Sequence, residues 1–195
     1  MAAKVARSGD HAGSLGVMTR TIVLGEHEQH ADFAAWLDKR HRLGQDLFDE
    51  VWEGEYHVAP APHRRHGHID SQVAVILESR ARASQLWSSG PANIGSGPDD
   101  YRVPDRAYFR DLDPKAFEPT AAIVVEILSP GDESYAKRGF YFARKVEELL
   151  IVDPLERSVQ WYARGADGLE PTERSTLLDM SGAELATAID WPPSD

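Results

Sequence analysis

Cysteine is absent from the 195 residues, which removes disulfides and thiolate metal sites from consideration. No apolar run approaches the roughly 20 residues that a membrane-spanning helix needs. The first 20 residues, MAAKVARSGDHAGSLGVMTR, lack the apolar centre of a secretory signal. They are small, polar and glycine-rich, and read as a mobile tail ahead of a single domain over residues 21–195. A reducing cytoplasm suits a chain of this kind. Positive charge is also scarce: 21 Lys and Arg stand against 32 Asp and Glu, a net charge of −11 at neutral pH. Affinity for a polyanion rests largely on Lys and Arg at phosphates, so a nucleic-acid partner would have to find its cations locally. There is no internal repeat and no low-complexity segment beyond the tail. What remains is 42% hydrophobic and 27% charged, the balance of a globular domain with room for one sizeable core.

The apolar pattern alternates between helix and strand periods. Thr21 to Leu24 suits a short first strand. Phe33, Trp36, Leu37 and Leu43 follow helical spacing, with Gly44 as a stop. Val51 to Val58 reads as a strand or a hairpin turning at Glu53-Gly54. Beyond Pro62, the apolar positions Ile69, Val73, Ile76 and Leu77 lie on one face of a long helix that ends near Ser84. Residues 88–100, SSGPANIGSGPDD, read as a loop. Residues 101–109, YRVPDRAYF, read as one strand with Val103, Asp105, Ala107 and Phe109 on a common face. After the apolar run AAIVVEILSP (121–130), Asp132 or Ser134 is placed to cap a helix over about Glu133 to Val146. ELLIVDP and SVQWYAR suit two paired strands joined through PLER, and a short last helix starts near Ser181. The order predicts an α/β fold, a mixed β-sheet flanked by helices.

Glu126 stands out in this pattern. In a strand over 122–128, Ile123, Val125 and Ile127 take one face while Val124, Glu126 and Leu128 take the other. Both faces are otherwise apolar, so the strand is central. An unpaired buried carboxylate costs several kcal/mol or takes up a proton, so Glu126 needs a cation partner. Asp105 is a second acid among apolar neighbours. Two inward carboxylates on adjacent strands make a hard-oxygen site suited to Mg²⁺ or Mn²⁺. Glu50 is a third candidate, whereas Glu53 and Glu55 read as a solvated turn. Lys137 lies 11 residues past Glu126, where the following helix can aim it back at the carboxylate, with Tyr141 on the same face.

VPDRAYF, then VVEILSP, then Lys-x-x-x-Tyr, then LLIVDP, together with DEVWEGEYHVAPAP and the following His66, resemble the bacterial Uma-two family of the PD-(D/E)XK nuclease superfamily. The resemblance covers about residues 45–155. It implies a restriction-endonuclease-like fold, a Mg²⁺ or Mn²⁺ held by Asp105 and Glu126, and hydrolysis of phosphodiester bonds in nucleic acid, DNA by expectation. It also implies a catalytic role for Glu50, which matches the Glu ahead of the family's first hairpin. Leu128 stands where the superfamily usually has its lysine, and Lys137 fits the family's alternative place on the next helix. There it would orient a water or stabilise developing negative charge. Without metal, one of the two acids should have a raised pKa.

Arg64, Arg65 and His66, at the start of the most basic stretch, are the candidates for contact with nucleic acid. Their bland alternative is a solvated helix end. Two copies could also pair through a sheet edge near the C-terminus. Against the nuclease reading stands a nuclease fold retained as a catalytically degenerate binding or assembly module. A zinc site through His66 and Asp70 matches no strong ligand spacing. A serine hydrolase lacks its nucleophile elbow.

Overall fold

The computed structural model describes residues 22–24, 31–59, 61–113, 115–129 and 134–193. The expected tail, Thr21, and the capping Asp132 and Glu133 lie outside them. The chain runs β1 (Ile22–Leu24), α1 (Ala31–Arg42), β2 (Glu50–Trp52), β3 (Glu55–Val58) and α2 (Arg64–Ala83). Then come β4 (Trp87–Ser89), β5 (Ile94–Gly97), β6 (Asp100–Arg102), β7 (Arg106–Phe109) and β8 (Ile123–Ile127). They are followed by α3 (Arg138–Ala143), β9 (Glu148–Asp153) and β10 (Ser158–Arg164). The chain closes with β11 (Leu169–Thr172), β12 (Arg174–Ser175), β13 (Met180–Ser181) and α4 (Gly182–Ala188).

Two main sheets result. The larger has the order β11-β10-β9-β8-β7-β4, and the smaller β1-β3-β2-β6-β5. All paired strands are antiparallel except β8 and β9, which run parallel on either side of the α3 connection. The β2–β3 hairpin turns where expected. Glu53 and Gly54 both take positive φ, 52° and 90°, the two-residue turn whose twist matches its strands. Helix α2 is capped by His63 and buries Ile69, Val73, Leu77 and Ala81. With α4, it covers the Ile123, Val125 and Ile127 face of β8. Val124 packs on the other face with Tyr141, Val146, Leu149 and Ile151. The β8 strand is therefore central, with opposite cores, as its sequence predicts. Helix α4 starts at Ser181 with a reciprocal capping box to Glu184.

Three expectations are corrected. Residues 88–100 are not a loop: β5 and the start of β6 lie there. Gly95 makes this possible at a bulge, because a Cβ would come within 2.5 Å of the Asp100 carbonyl oxygen. Residues 101–109 are not one strand: β6 and β7 belong to different sheets, and Val103-Pro104-Asp105 carries the chain between them. Proline lacks the N–H that a continuous ladder would require. The helix expected to reach Val146 is the six-residue α3, preceded by turns over 134–137. It ends as Lys145 turns to φ 63° and Val146 becomes buried. Trp36 in α1 and Leu43 just beyond its end are exposed.

Candidate active site

The crossing between the two sheets brings the acids together. β7 pairs with β8 so that Arg106 lies opposite Val125. The same register carries Asp105, one residue beyond the ladder, to a place opposite Glu126. At the other end of the three-residue crossing, the Val103 N–H donates to Glu50 Oε1 at 2.7 Å. Glu50 thus belongs to the small sheet and Glu126 to the large one, with Asp105 on the segment that joins them. Asp105 is only partly buried, since it lies at the bend rather than inside a strand as its alternation suggested.

Helix α3 closes the gap. Lys137, at its N-cap, places Nζ 2.9 Å from Glu50 Oε1 and 3.3 Å from Glu126 Oε1. One ammonium therefore bridges acids from the two sheets. One turn on, the fully buried Tyr141 donates its hydroxyl to Glu126 Oε1. Ser134 donates to Oε2 at 3.4 Å. Glu50 Oε2 accepts the indole N–H of Trp52 at 2.6 Å. The Trp52 ring stacks on His57 and lies 4.4 Å from the Arg102 guanidinium, which also lies 4.1 Å from the Phe140 ring of α3. This aromatic stack fixes α3 against the small sheet.

The electrostatics follow from burial. Glu126 is 3% exposed, and its carboxyl is pushed up to about 8, first by desolvation. Lys137 pulls it down, while the charges of Asp105 and Glu50 push it further up. The Tyr141 hydroxyl is held well above its usual range by burial and then by the neighbouring Glu126 charge. A raised carboxylate was the expectation for two clustered acids without a metal.

His66 reaches the same place. Its Nε2 lies 3.2 Å from Asp105 Oδ2 and 3.1 Å from the Ile127 carbonyl oxygen. Burial lowers its pKa, but the bond to Asp105 and the Asp105 charge outweigh this, and the net shift is upward. Asp70 does not share a site with His66. It takes a two-pronged ion pair from Arg106, each contact 2.8 Å. Arg64 is exposed and Arg65 half-buried at the start of α2. Further along, Arg80 bonds the Leu178 and Asp179 carbonyls and Arg82 pairs with Glu78. Much of the basic stretch thus has internal partners. Sequence reasoning gave no role to Trp52 or Ser134 in the site. Trp52 could have been noticed two residues after Glu50, on the same strand face.

The donors suit a hard divalent cation. They are carboxylate oxygens: Glu50 and Glu126 share one lysine, and the charge of Asp105 acts on Glu126. Among the described residues, no three of His, Cys, Asp or Glu form a ready-made ion cage. Asp105 and Glu126, opposite each other in the β7–β8 register, are the carboxylates that would meet such an ion. Among the described residues, no helix is long and apolar enough to cross a membrane.

Comparison with known proteins agrees with this architecture. A crystal structure from Anabaena variabilis, titled a "putative nuclease belonging to DUF820", superposes with a TM-score of 0.59 at 17% identity. The match covers 72% of this chain and 90% of that one. At that identity the likeness is one of fold. No curated protein matches. The model of the Uma2 family, described as "Putative restriction endonuclease", matches residues 31–191, a span that includes every residue of the site, and the chain belongs to that family.

Proposed function

We propose that the protein is a divalent-metal-dependent endonuclease that hydrolyses phosphodiester bonds in nucleic acid, with DNA as the expected substrate. The observation that carries this reading is the gathering of three acids at the seam of two sheets: Glu50 and Glu126 share the Lys137 ammonium, and Asp105 stands opposite Glu126 and acts on it by its charge. Clustered carboxylates that raise one another's pKa suit a cation, and the central strand β8 holds Glu126 in place for it.

Asp105 and Glu126 would hold Mg²⁺ or Mn²⁺. When bound, the ion would supply positive charge at the phosphate and acidify water. Lys137 would orient the attacking water or stabilise charge that develops on the phosphoryl oxygens. Glu50 keeps the ammonium in place, and Tyr141 and Ser134 hold the two oxygens of Glu126. Arg64 and Arg65, in the first turn of α2, would meet the backbone phosphates. Attack in line with the leaving oxygen would break one P–O ester bond as the water adds.

One observation favours a second reading, a nuclease fold kept as a binding module. The chain carries −11, and Arg80, Arg82 and Arg106 face protein partners. Incubation with single- and double-stranded DNA and RNA decides between them. Cutting should require Mn²⁺ or Mg²⁺, stop with chelator, and be lost in Asp105→Asn and Lys137→Ala. Absence of cutting on every substrate, with both variants folded, would favour the module.

A further inference from the structure

We propose that His66 is the positioning residue for Asp105, and that it leaves Oδ1 rather than Oδ2 for the cation. The inference rests on the metal-site reading above and assigns His66 a task other than phosphate contact.

Asp105 has little else to hold it. It precedes the first residue of β7 and follows the last of β6, so no strand ladder fixes its backbone. Its side chain is instead closed into a small ring of hydrogen bonds. The Ile127 N–H donates to Oδ2 at 2.7 Å. His66 Nε2 lies 3.2 Å from the same Oδ2 and 3.1 Å from the Ile127 carbonyl oxygen. Three elements meet here: the first turn of α2, the crossing between the sheets, and the end of β8.

The geometry fixes the proton on His66. Both atoms facing Nε2 are oxygen acceptors, so Nε2 must carry hydrogen. A nitrogen bearing hydrogen has no lone pair for a metal, and it cannot act as a base. His66 is therefore neither a metal ligand nor a proton acceptor through Nε2. Oδ2 already receives two donors, and both contacts of Asp105 among the described residues fall on it. The opposite oxygen, Oδ1, is the one presented to an ion. Hydrogen-bond partners of this kind orient metal-binding carboxylates, and their loss typically lowers metal affinity about 10- to 100-fold.

Two measurements test this. The ¹⁵N spectrum of the metal-free protein should show His66 protonated at Nε2. Mn²⁺ titration by calorimetry should then give a Kd for His66→Leu about 10- to 100-fold weaker than wild type. His66→Gln, whose amide nitrogen can reach the Nε2 position, should recover most of that loss. Thermal melts without metal would confirm that both variants fold. Wild-type affinity in His66→Leu would overturn the proposal. So would a Gln variant as weak as the Leu variant, or an unprotonated Nε2. If wild type binds no Mn²⁺ while Nε2 is protonated, the metal reading falls and the hydrogen-bonded clamp stands.

Discussion

Two buried glutamates lie on neighbouring parallel strands, and only one belongs to the site. Glu148 opens β9, opposite Ile123, and Glu126 lies near the end of β8, opposite Ile151. Their exposures are 2% and 3%. Among the described residues, the hydrogen-bond partners of Glu148 are neutral donors. Ser175 Oγ bonds its Oε2 at 2.5 Å, while the Thr176 N–H and hydroxyl, each at 2.7 Å, and the Leu177 N–H at 3.2 Å bond its Oε1. Glu126 faces two other carboxylates and shares one lysine with Glu50. Burial alone does not distinguish the proposed metal ligand from a structural acid. What separates them is the partner set: hydrogen-bond donors that satisfy a fixed charge in one case, competing charges that leave a place for a cation in the other.

Removing each acid should give opposite results. Glu148→Ala strands several buried donors around Ser175 to Leu177. It should cost about 3 kcal/mol, which lowers Tm by roughly 6–12 °C for a chain of this size. Mn²⁺ should still raise the Tm of that variant. Glu126→Gln should match the metal-free wild type near pH 4.5, because the amide resembles the protonated acid, and should be the more stable of the two near neutral pH, where only the wild-type unfolded state releases a proton. It should lose the metal effect, which for wild type at a hundredfold excess over Kd amounts to about 2.7 kcal/mol. Matching melts with and without Mn²⁺ check both variants. If Glu126→Gln were the more destabilising change in metal-free protein, the contrast would be reversed.

Glu126 also makes stability depend on pH. The Glu126 carboxyl is raised from 4.5 to about 8, mainly by burial. Between those values the folded state binds a proton that the unfolded state releases, so stability falls as pH rises. This contribution is fully present below about 4.5 and lost as pH passes through about 8. Metal-free wild type should lose Tm across that window relative to Glu126→Gln. Parallel Tm curves for the two proteins would remove Glu126 as the titrating group.

How much of this the sequence made legible depended on distance along the chain. Glu126 stood out because its own strand was apolar on both faces. Lys137 and Tyr141 were legible because a helix repeats its face every three to four residues. Glu148 gave no such sign: it merely opens an apolar run, and its partners lie 27–29 residues away. The crossing at 103–105 was hidden because alternation continues smoothly from Val103 to Phe109 while the backbone changes sheet. Gly and Pro in 88–100 read as loop because their use at a bulge and in the tight β5–β6 turn depends on neighbours that composition does not show. His66 was legible as a residue near a basic stretch, but its bond to Asp105 spans 39 positions.

The smallest expected effect sharpens the contrast further. Glu50 is intermediate between the two glutamates: it has neutral donors, as Glu148 does, and the lysine, as Glu126 does. Trp52→Phe removes the indole N–H at 2.6 Å from Oε2 and trims the ring. It keeps an aromatic ring between His57 and Arg102, and the Val103 N–H and Lys137 still hold Oε1. The cost in stability should be about 1 kcal/mol or less. Cleavage should fall more than stability does if Glu50 must hold Lys137 in one place, because a small displacement of a catalytic group slows the chemical step more than it weakens the fold. Rates of cutting measured beside the melting curve separate the cases. A loss of rate with an unchanged melt puts Glu50 beside Glu126 as a working acid. A loss confined to the melt puts it beside Glu148.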